Sequence, residues 1–122
     1  MKIISTLLIA FFLVGCAFKQ PKRTVASTII IKTPNLKFYD KGFINYYDNY
    51  IHLQLLSIGN VVLDLSIFKD KICKSSLQCV DAKSFNSQYL VDSYDKDFLF
   101  NLFYKKKIYF KDKKNNILIK VK

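Results

Sequence analysis

The chain has 122 residues and a formal net charge of +11, with 20 Lys and Arg against nine acids. That length suits one modest domain, and the single histidine, His52, is too little for a four-ligand zinc site. All nine acids are Asp, only three residues are Gly and Trp is absent, so no Gly-rich phosphate loop is present. Abundant Lys, Ile, Asn, Phe and Tyr fit an AT-rich genome, which weakens Lys counts as evidence for a partner.

The N-terminus reads Met1-Lys2, an uncharged and largely apolar stretch from Ile3 to Val14, then Gly15 and Cys16. A positive charge, a short apolar run and a small residue make a secretory signal peptide. As a helix the run would reach only about 18 Å, short of the hydrocarbon core. The quartet Leu13-Val14-Gly15-Cys16 resembles a bacterial lipobox. The resemblance implies cleavage before Cys16, a diacylglyceryl thioether on Cys16 and a fatty acyl group on the new amino terminus. Residues 1–15 are then the signal, 16–24 a lipidated tether and 25–122 one domain. The processed chain keeps 19 basic and nine acidic residues, or +10, because Lys2 is the only charge lost. Acyl chains on Cys16 anchor a body that has no second membrane-length stretch. Export removes the chain from nucleic acid, so the expected anionic partners are lipid head groups, lipopolysaccharide phosphates or acidic wall polymers. Lys19, Lys22 and Arg23 of the tether are positioned for head groups, or simply for solvent.

The body opens in strand-like sequence. Val25 to Lys32 is β-branched and stops at Thr33-Pro34-Asn35. Leu36 to Tyr39 alternates and is closed by Asp40-Lys41-Gly42; Phe43 to Tyr47 follows, closed by Asp48-Asn49. Tyr50 to Ile58 places Ile51, Leu53 and Leu55 on one face against His52 and Gln54. Gly59-Asn60 is a hairpin-turn dipeptide. Val61 to Phe68 then sets Val61, Leu63, Leu65 and Ile67 against Asp64 and Ser66. Period two over both arms predicts an antiparallel sheet with one face covered.

Cys73 and Cys79 remain after Cys16 is assigned to lipid. An even pair in an exported domain is expected to form a disulfide across a small turn. Two buried thiols are the alternative. A metal or redox site is disfavoured by the lone distant His52 and by a spacing unlike Cys-x-x-Cys.

Asp81 or Ser84 can cap a short helix carrying Phe85, Tyr89 and Leu90. Asp92 or Ser93 can cap a second, Tyr94 to about Lys105, with Asp95 and Asp97 in its first turn and Lys105 to Lys107 at its end, an order that complements the dipole. Between them Phe98 to Tyr104 is apolar nearly all round, which predicts a buried helix or one facing a ligand or partner. Lys107 to Lys111, a turn at Lys113 to Asn116, and Asn116 to Lys122 form a closing hairpin with Ile108, Phe110, Ile117, Ile119 and Val121 inward. The fold class is therefore α+β: an antiparallel β-sheet or incomplete β-barrel with two short helices inserted before a C-terminal hairpin.

Catalysis is not expected. His52 has no acidic neighbour in sequence and reads as a solvated strand residue, while Asp92, Asp95 and Asp97 read as cap and dipole partners. No metal or cofactor is expected. Phe98, Leu99, Leu102 and Phe103 are the candidate contacts to an apolar ligand. Lys105, Lys106, Lys107, Lys113 and Lys114 are candidates for contact with an anionic membrane surface, or a solvated face.

The lipobox, the strand runs of Ile51 to Phe68, the helical segment Phe85 to Tyr104 and the closing Ile108 to Val121 resemble in pattern the LolB type of outer-membrane lipoprotein. That resemblance implies an incomplete barrel with a helical lid, and a cavity that holds acyl chains of lipoproteins. The chain also resembles small lipoproteins of AT-rich Gram-negative bacteria. Ala17, rather than Asp, after Cys16 implies the outer membrane, periplasmic face; a cell-surface lipoprotein is the alternative. The expected function is a non-catalytic, outer-membrane-anchored lipoprotein binding an apolar ligand or acyl chains. The alternative is an envelope assembly protein working through a protein partner.

Overall fold

The computed structural model of the protein describes residues 20–75 and 77–122. The expected signal peptide, Cys16 and most of the expected tether lie outside the described residues. Eight strands form one antiparallel sheet: β1 Arg23–Lys32, β2 Lys37–Tyr46, β3 Ile51–Ser57, β4 Asn60–Ile67, β5 Lys71–Lys74, β6 Gln78–Asp81, β7 Tyr109–Asp112 and β8 Ile117–Val121. Their order is β6-β5-β4-β3-β2-β1-β8-β7, so the sheet is open with β6 and β7 as its edges. Two helices, α1 Ala82–Tyr89 and α2 Phe98–Tyr104, enter between β6 and β7. This is the α+β arrangement that the order of runs predicts, with the C-terminal hairpin closing onto β1.

One sheet face carries the core. Ile29, Ile31, Ile44, Tyr46, Ile51, Leu53, Leu55, Leu65 and Ile67 point inward and meet Phe85, Leu99, Leu102 and Phe103 from the helices. Alternation produces this directly: in β3 Ile51, Leu53 and Leu55 are buried and His52, Gln54 and Leu56 between and after them are half-exposed. A disulfide joins Cys73 of β5 to Cys79 of β6, which lie directly opposite each other.

Five boundaries differ from the sequence expectation, each for a physical reason. The first strand starts at Arg23, inside the expected tether, because Arg23 pairs with Tyr46 and its guanidinium lies 4.3 Å from that ring's centre. Asp40-Lys41-Gly42 is not a turn. All three stay in register with Ser27 to Ile29 in a continuous β2. A Cβ on Gly42 would stand 2.6 Å from both the Gln54 carbonyl oxygen and the Ile29 side chain, so only glycine fits this close approach.

The third is the β3–β4 turn, which is Ile58-Gly59 rather than Gly59-Asn60. Both residues have positive φ, 51° and 78°, as a type I′ turn requires. The fourth is the inward face of β4. A bulge opposite Leu55 and Leu56 makes Val62 an extra residue, so Val61 is exposed and only Leu63 to Ile67 keep the predicted face.

The fifth is α2, which starts at Phe98 instead of Tyr94. Lys83 donates to the carbonyls of Asp92 and Tyr94, and Asn86 Nδ2 donates to that of Asp95 at 2.8 Å. These bonds hold residues 92–95 in a turn against α1. Asp97 then takes the N-cap position without a side-chain capping bond, and Asp92 and Ser93 cap nothing. Lys105 is already extended, so the predicted dipole pairing at both ends is absent. At α1 the Asp81 cap is found: its carboxylate accepts from Ser84 N at 3.4 Å.

Candidate functional site

Strand register defines two ends of the sheet. The chain enters β1 at Arg23, beside Tyr46 and the Tyr47–Tyr50 turn. The Phe68–Lys71 turn lies at this same near end. Lys32 marks the far end, about 30 Å away along a ten-residue strand. There lie the Thr33–Leu36 turn, the Ile58-Gly59 tip and the Lys113–Asn116 turn.

Toward the far end, a small void of about 30 Å³ lies in the seam between sheet and helices. Its walls include Ile31, Leu53, Leu65, Phe85, Leu99, Phe103 and Ile119, and Thr33 and Tyr89 are its only side chains with a polar atom. Leu36, Leu63 and Leu90 form a half-exposed rim. Of the four predicted ligand contacts, Leu99 and Phe103 reach the void. Leu102 is buried elsewhere in the core. Phe98 is half-buried and packs its ring 4.6 Å from Tyr94 and 4.8 Å from Phe110.

The helical layer is fastened at a few polar points. Tyr46 Oη donates to the Phe103 carbonyl at 2.6 Å, satisfying an acceptor in the last turn of α2. Burial pushes the Tyr46 phenol above its ordinary value, against the opposing effect of Arg23. Asn35 Nδ2 donates to the Gln88 carbonyl at 2.8 Å, and Lys74 Nζ to Tyr89 Oη at 2.7 Å. Tyr94 Oη donates to Asp112 at 2.5 Å. Burial, reinforced by the Asp112 carboxylate, raises the Tyr94 phenol strongly. Asn115, and next Tyr94, hold the Asp112 carboxyl below the usual carboxylate range by donating to its charged form. Asn86 is fully buried within this layer, and its side-chain oxygen has no hydrogen-bond partner.

At the near end, a cleft of about 700 Å³ opens on the other side of α2. Three segments converge on it. The β2–β3 turn supplies Asp48 and Asn49; the β4–β5 turn supplies Phe68, Lys69 and Asp70; the outer face of α2 supplies Phe100, Asn101 and Tyr104. This resolves the largely apolar helix: Leu99, Leu102 and Phe103 face the core, while Phe100, buried at the core's margin, and exposed Tyr104 stack on each other at 5.6 Å and line the cleft. Lys69 Nζ stands 5.5 Å from the Phe100 ring centre and Lys71 Nζ 4.7 Å from that of Phe68. Lys22 pairs with Asp48 at 2.5 Å, and that carboxylate raises the Lys22 ammonium above its ordinary value.

The predicted basic patch divides between the ends. Lys105, Lys106 and Lys107 are exposed and leave α2 from Tyr104, whose ring is 6.3 Å from Tyr46 at the near end. Lys113 and Lys114 are exposed in the far-end turn. The two groups do not form one surface.

His52 is not a free solvated residue. Its Nε2 is 2.6 Å from the Asp64 carboxylate, diagonally across the β3–β4 pair. Ser66 is directly opposite His52, but no hydrogen bond joins them, and neither cleft nor void includes the three. Among the described residues, no group of three or more His, Cys, Asp or Glu is placed to hold a metal. The His52–Asp64 pair was legible only once the hairpin register was known.

No protein-family model, curated protein or solved structure matches this chain significantly.

Proposed function

We propose that the protein is a non-catalytic lipoprotein, anchored through Cys16 in the outer membrane, that takes an apolar chain such as an acyl group between its sheet and its helices. The observation that carries this is the seam itself: an apolar interlayer whose rim, at Leu36, Leu63 and Leu90, reaches the surface. The void of about 30 Å³ is one water's share of liquid volume, far below the ~300 Å³ of a ligand pocket. Entry therefore requires α1 and α2 to lift from the sheet. Few polar fastenings hold them, and the rest is non-directional apolar contact that an acyl chain can replace. Native extraction followed by lipid analysis tests this. Wild-type protein is expected to carry lipid, and Leu90→Asp to lose it while keeping its fold. Lipid-free wild type, with a rim variant indistinguishable from it, contradicts the proposal.

One observation favours the alternative of a protein partner. Ile58 is 94% exposed at the hairpin tip, in a backbone conformation that β-branched residues avoid, with Val61 and Val62 exposed beside it. Asn or Gly would relieve the strain, so an exposed Ile there suits contact with another envelope protein. In a pull-down from membranes, a stoichiometric partner lost on Ile58→Asn supports this alternative.

A further inference from the structure

We propose that the sheet face turned away from the helices lies on an anionic phospholipid bilayer through β7, β8, β1 and β2, a proposal that rests on the lipid-anchored reading above for which bilayer it meets. Register sets the residues of this face in rows that cross these four adjacent strands. Lys111, Leu118, Lys32 and Lys37 form one row; Tyr109, Lys120, Ile30 and Tyr39 form the next; Lys122, Thr28 and Lys41 form a third. Their strand neighbours Ile29, Ile31 and Ile119 point the other way, into the core. Lys32, Lys37, Lys41, Lys111, Lys120 and Lys122 thus share a patch roughly 14 Å on a side at the backbone. Segregation, not number, marks it. The acids of these strands, Asp40 and Asp112, lie in register with Ile29 and Ile117 and so belong to the opposite face. Among the described residues no carboxylate side chain pairs with any of these lysines. Lys32 stands directly opposite Lys37, a like-charge pair that costs stability until an anion covers it.

The aromatic residues of this face select the occupant. Tyr39 and Tyr109 are 60% and 51% exposed among the lysines, and Phe43 lies one row beyond Lys41. An apolar ring with a polar tip suits the head-group layer, and lysine stems lie along apolar surface while their ammoniums reach phosphates. The pairs are already formed: Lys120 Nζ stands 5.9 Å from the Tyr109 ring centre and Lys122 Nζ 5.1 Å from that of Tyr39. Lys122 also donates to Tyr39 Oη at 2.8 Å and, with Lys32 and Lys120 nearby, holds that phenol below its ordinary value. Position agrees with this. Cys16 precedes Arg23 by seven residues, roughly 25 Å of chain at full stretch, so the tether lets the sheet lie along the bilayer. The helices α1 and α2, on the opposite face, then point away from the lipid and stay free to lift.

The test exploits the absence of Trp from the chain. A single tryptophan is introduced into the processed full-length protein, by Tyr109→Trp or Phe43→Trp on this face and by Tyr104→Trp on α2. Quenching by brominated acyl chains is read in phosphatidylcholine vesicles with and without phosphatidylglycerol. Phosphatidylglycerol is expected to strengthen quenching about threefold at the first two sites and to leave the third unchanged. Raised salt, or Lys111→Gln/Lys120→Gln/Lys122→Gln in the same background, is expected to return it to the phosphatidylcholine level. Equal quenching on the two faces, or quenching indifferent to phosphatidylglycerol or to the lysine substitutions, overturns the assignment. So does an emission shift of Tyr109→Trp protein with heparin but not with anionic vesicles, which would give the face to a soluble acidic glycan. Failure of the anchor reading is seen separately, as Cys16→Ala protein that sediments with membranes like wild type.

Discussion

The two ends of this sheet solve opposite problems with the same strands. At the far end, apolar side chains close over a seam too small for any ligand as it stands, and exposed apolar residues sit at hairpin tips. At the near end, three turns and one helix face leave an open cleft of aromatic and charged groups. The helix α2 belongs to both. Its inner stripe completes the core and its outer stripe walls the cleft. A helix of seven residues that is apolar nearly all round is therefore not over-buried; one stripe lies in the core and the other lines a cleft of aromatic and charged groups.

Substitutions on the two faces of α2 separate these roles most sharply. Phe103 is fully buried, and Phe103→Ala is expected to cost about 3–5 kcal/mol in denaturant unfolding. Tyr104→Ala on the opposite face is expected to cost under ~1 kcal/mol and to affect only the cleft. Similar losses at the two positions would show that the cleft is part of the core. Removing the Cys73–Cys79 link by a double Ala substitution should cost about 2 kcal/mol by the chain-entropy argument, readable as a lower unfolding midpoint.

Next in size is the fastening between β2 and α2. Tyr46→Phe leaves the Phe103 carbonyl without its side-chain donor, so a loss of about 1–2 kcal/mol and faster amide exchange across α2 are expected. Ile58→Gly at the far-end tip should instead stabilise the hairpin by about 1 kcal/mol, because it removes the left-handed strain of a β-branched residue. A destabilised Ile58→Gly protein would mean that this side chain packs on the fold.

The smallest effect is on pH dependence. Asp112 has a folded pKa below its unfolded value, so its contribution is present above the ordinary carboxylate range and is lost as pH falls through the depressed value. Acid titration should release Tyr94 from the β7–β8 turn, visible as a change in its ring resonances. Asp112→Asn should remove that acid step.

The sheet was legible because its strands are half-buried. Ile51, Leu53 and Leu55 announce their face by alternation, and the Asp81 cap is a local event three residues long. Gly42 was misread because glycine signals a turn, whereas its reason lies in Gln54 and Ile29, on two other strands. The start of α2 was misplaced because Lys83 and Asn86 of α1 capture carbonyls that a helix would have used. The near-end cleft was not legible at all. Asp48, Lys69 and Tyr104 belong to three separate segments, and only the strand register brings them together. Its one trace in sequence is that Phe100 and Tyr104 are spaced to share a helix face distinct from that of Leu99, Leu102 and Phe103.

The claim that the seam opens for an apolar chain is tested most directly by amide hydrogen exchange on the full-length protein with and without palmitate. The expected result is altered protection confined to residues 82–104, with β1 to β4 unchanged, because the helices move and the sheet does not. Identical exchange in both conditions, with palmitate shown to be in excess, would contradict it.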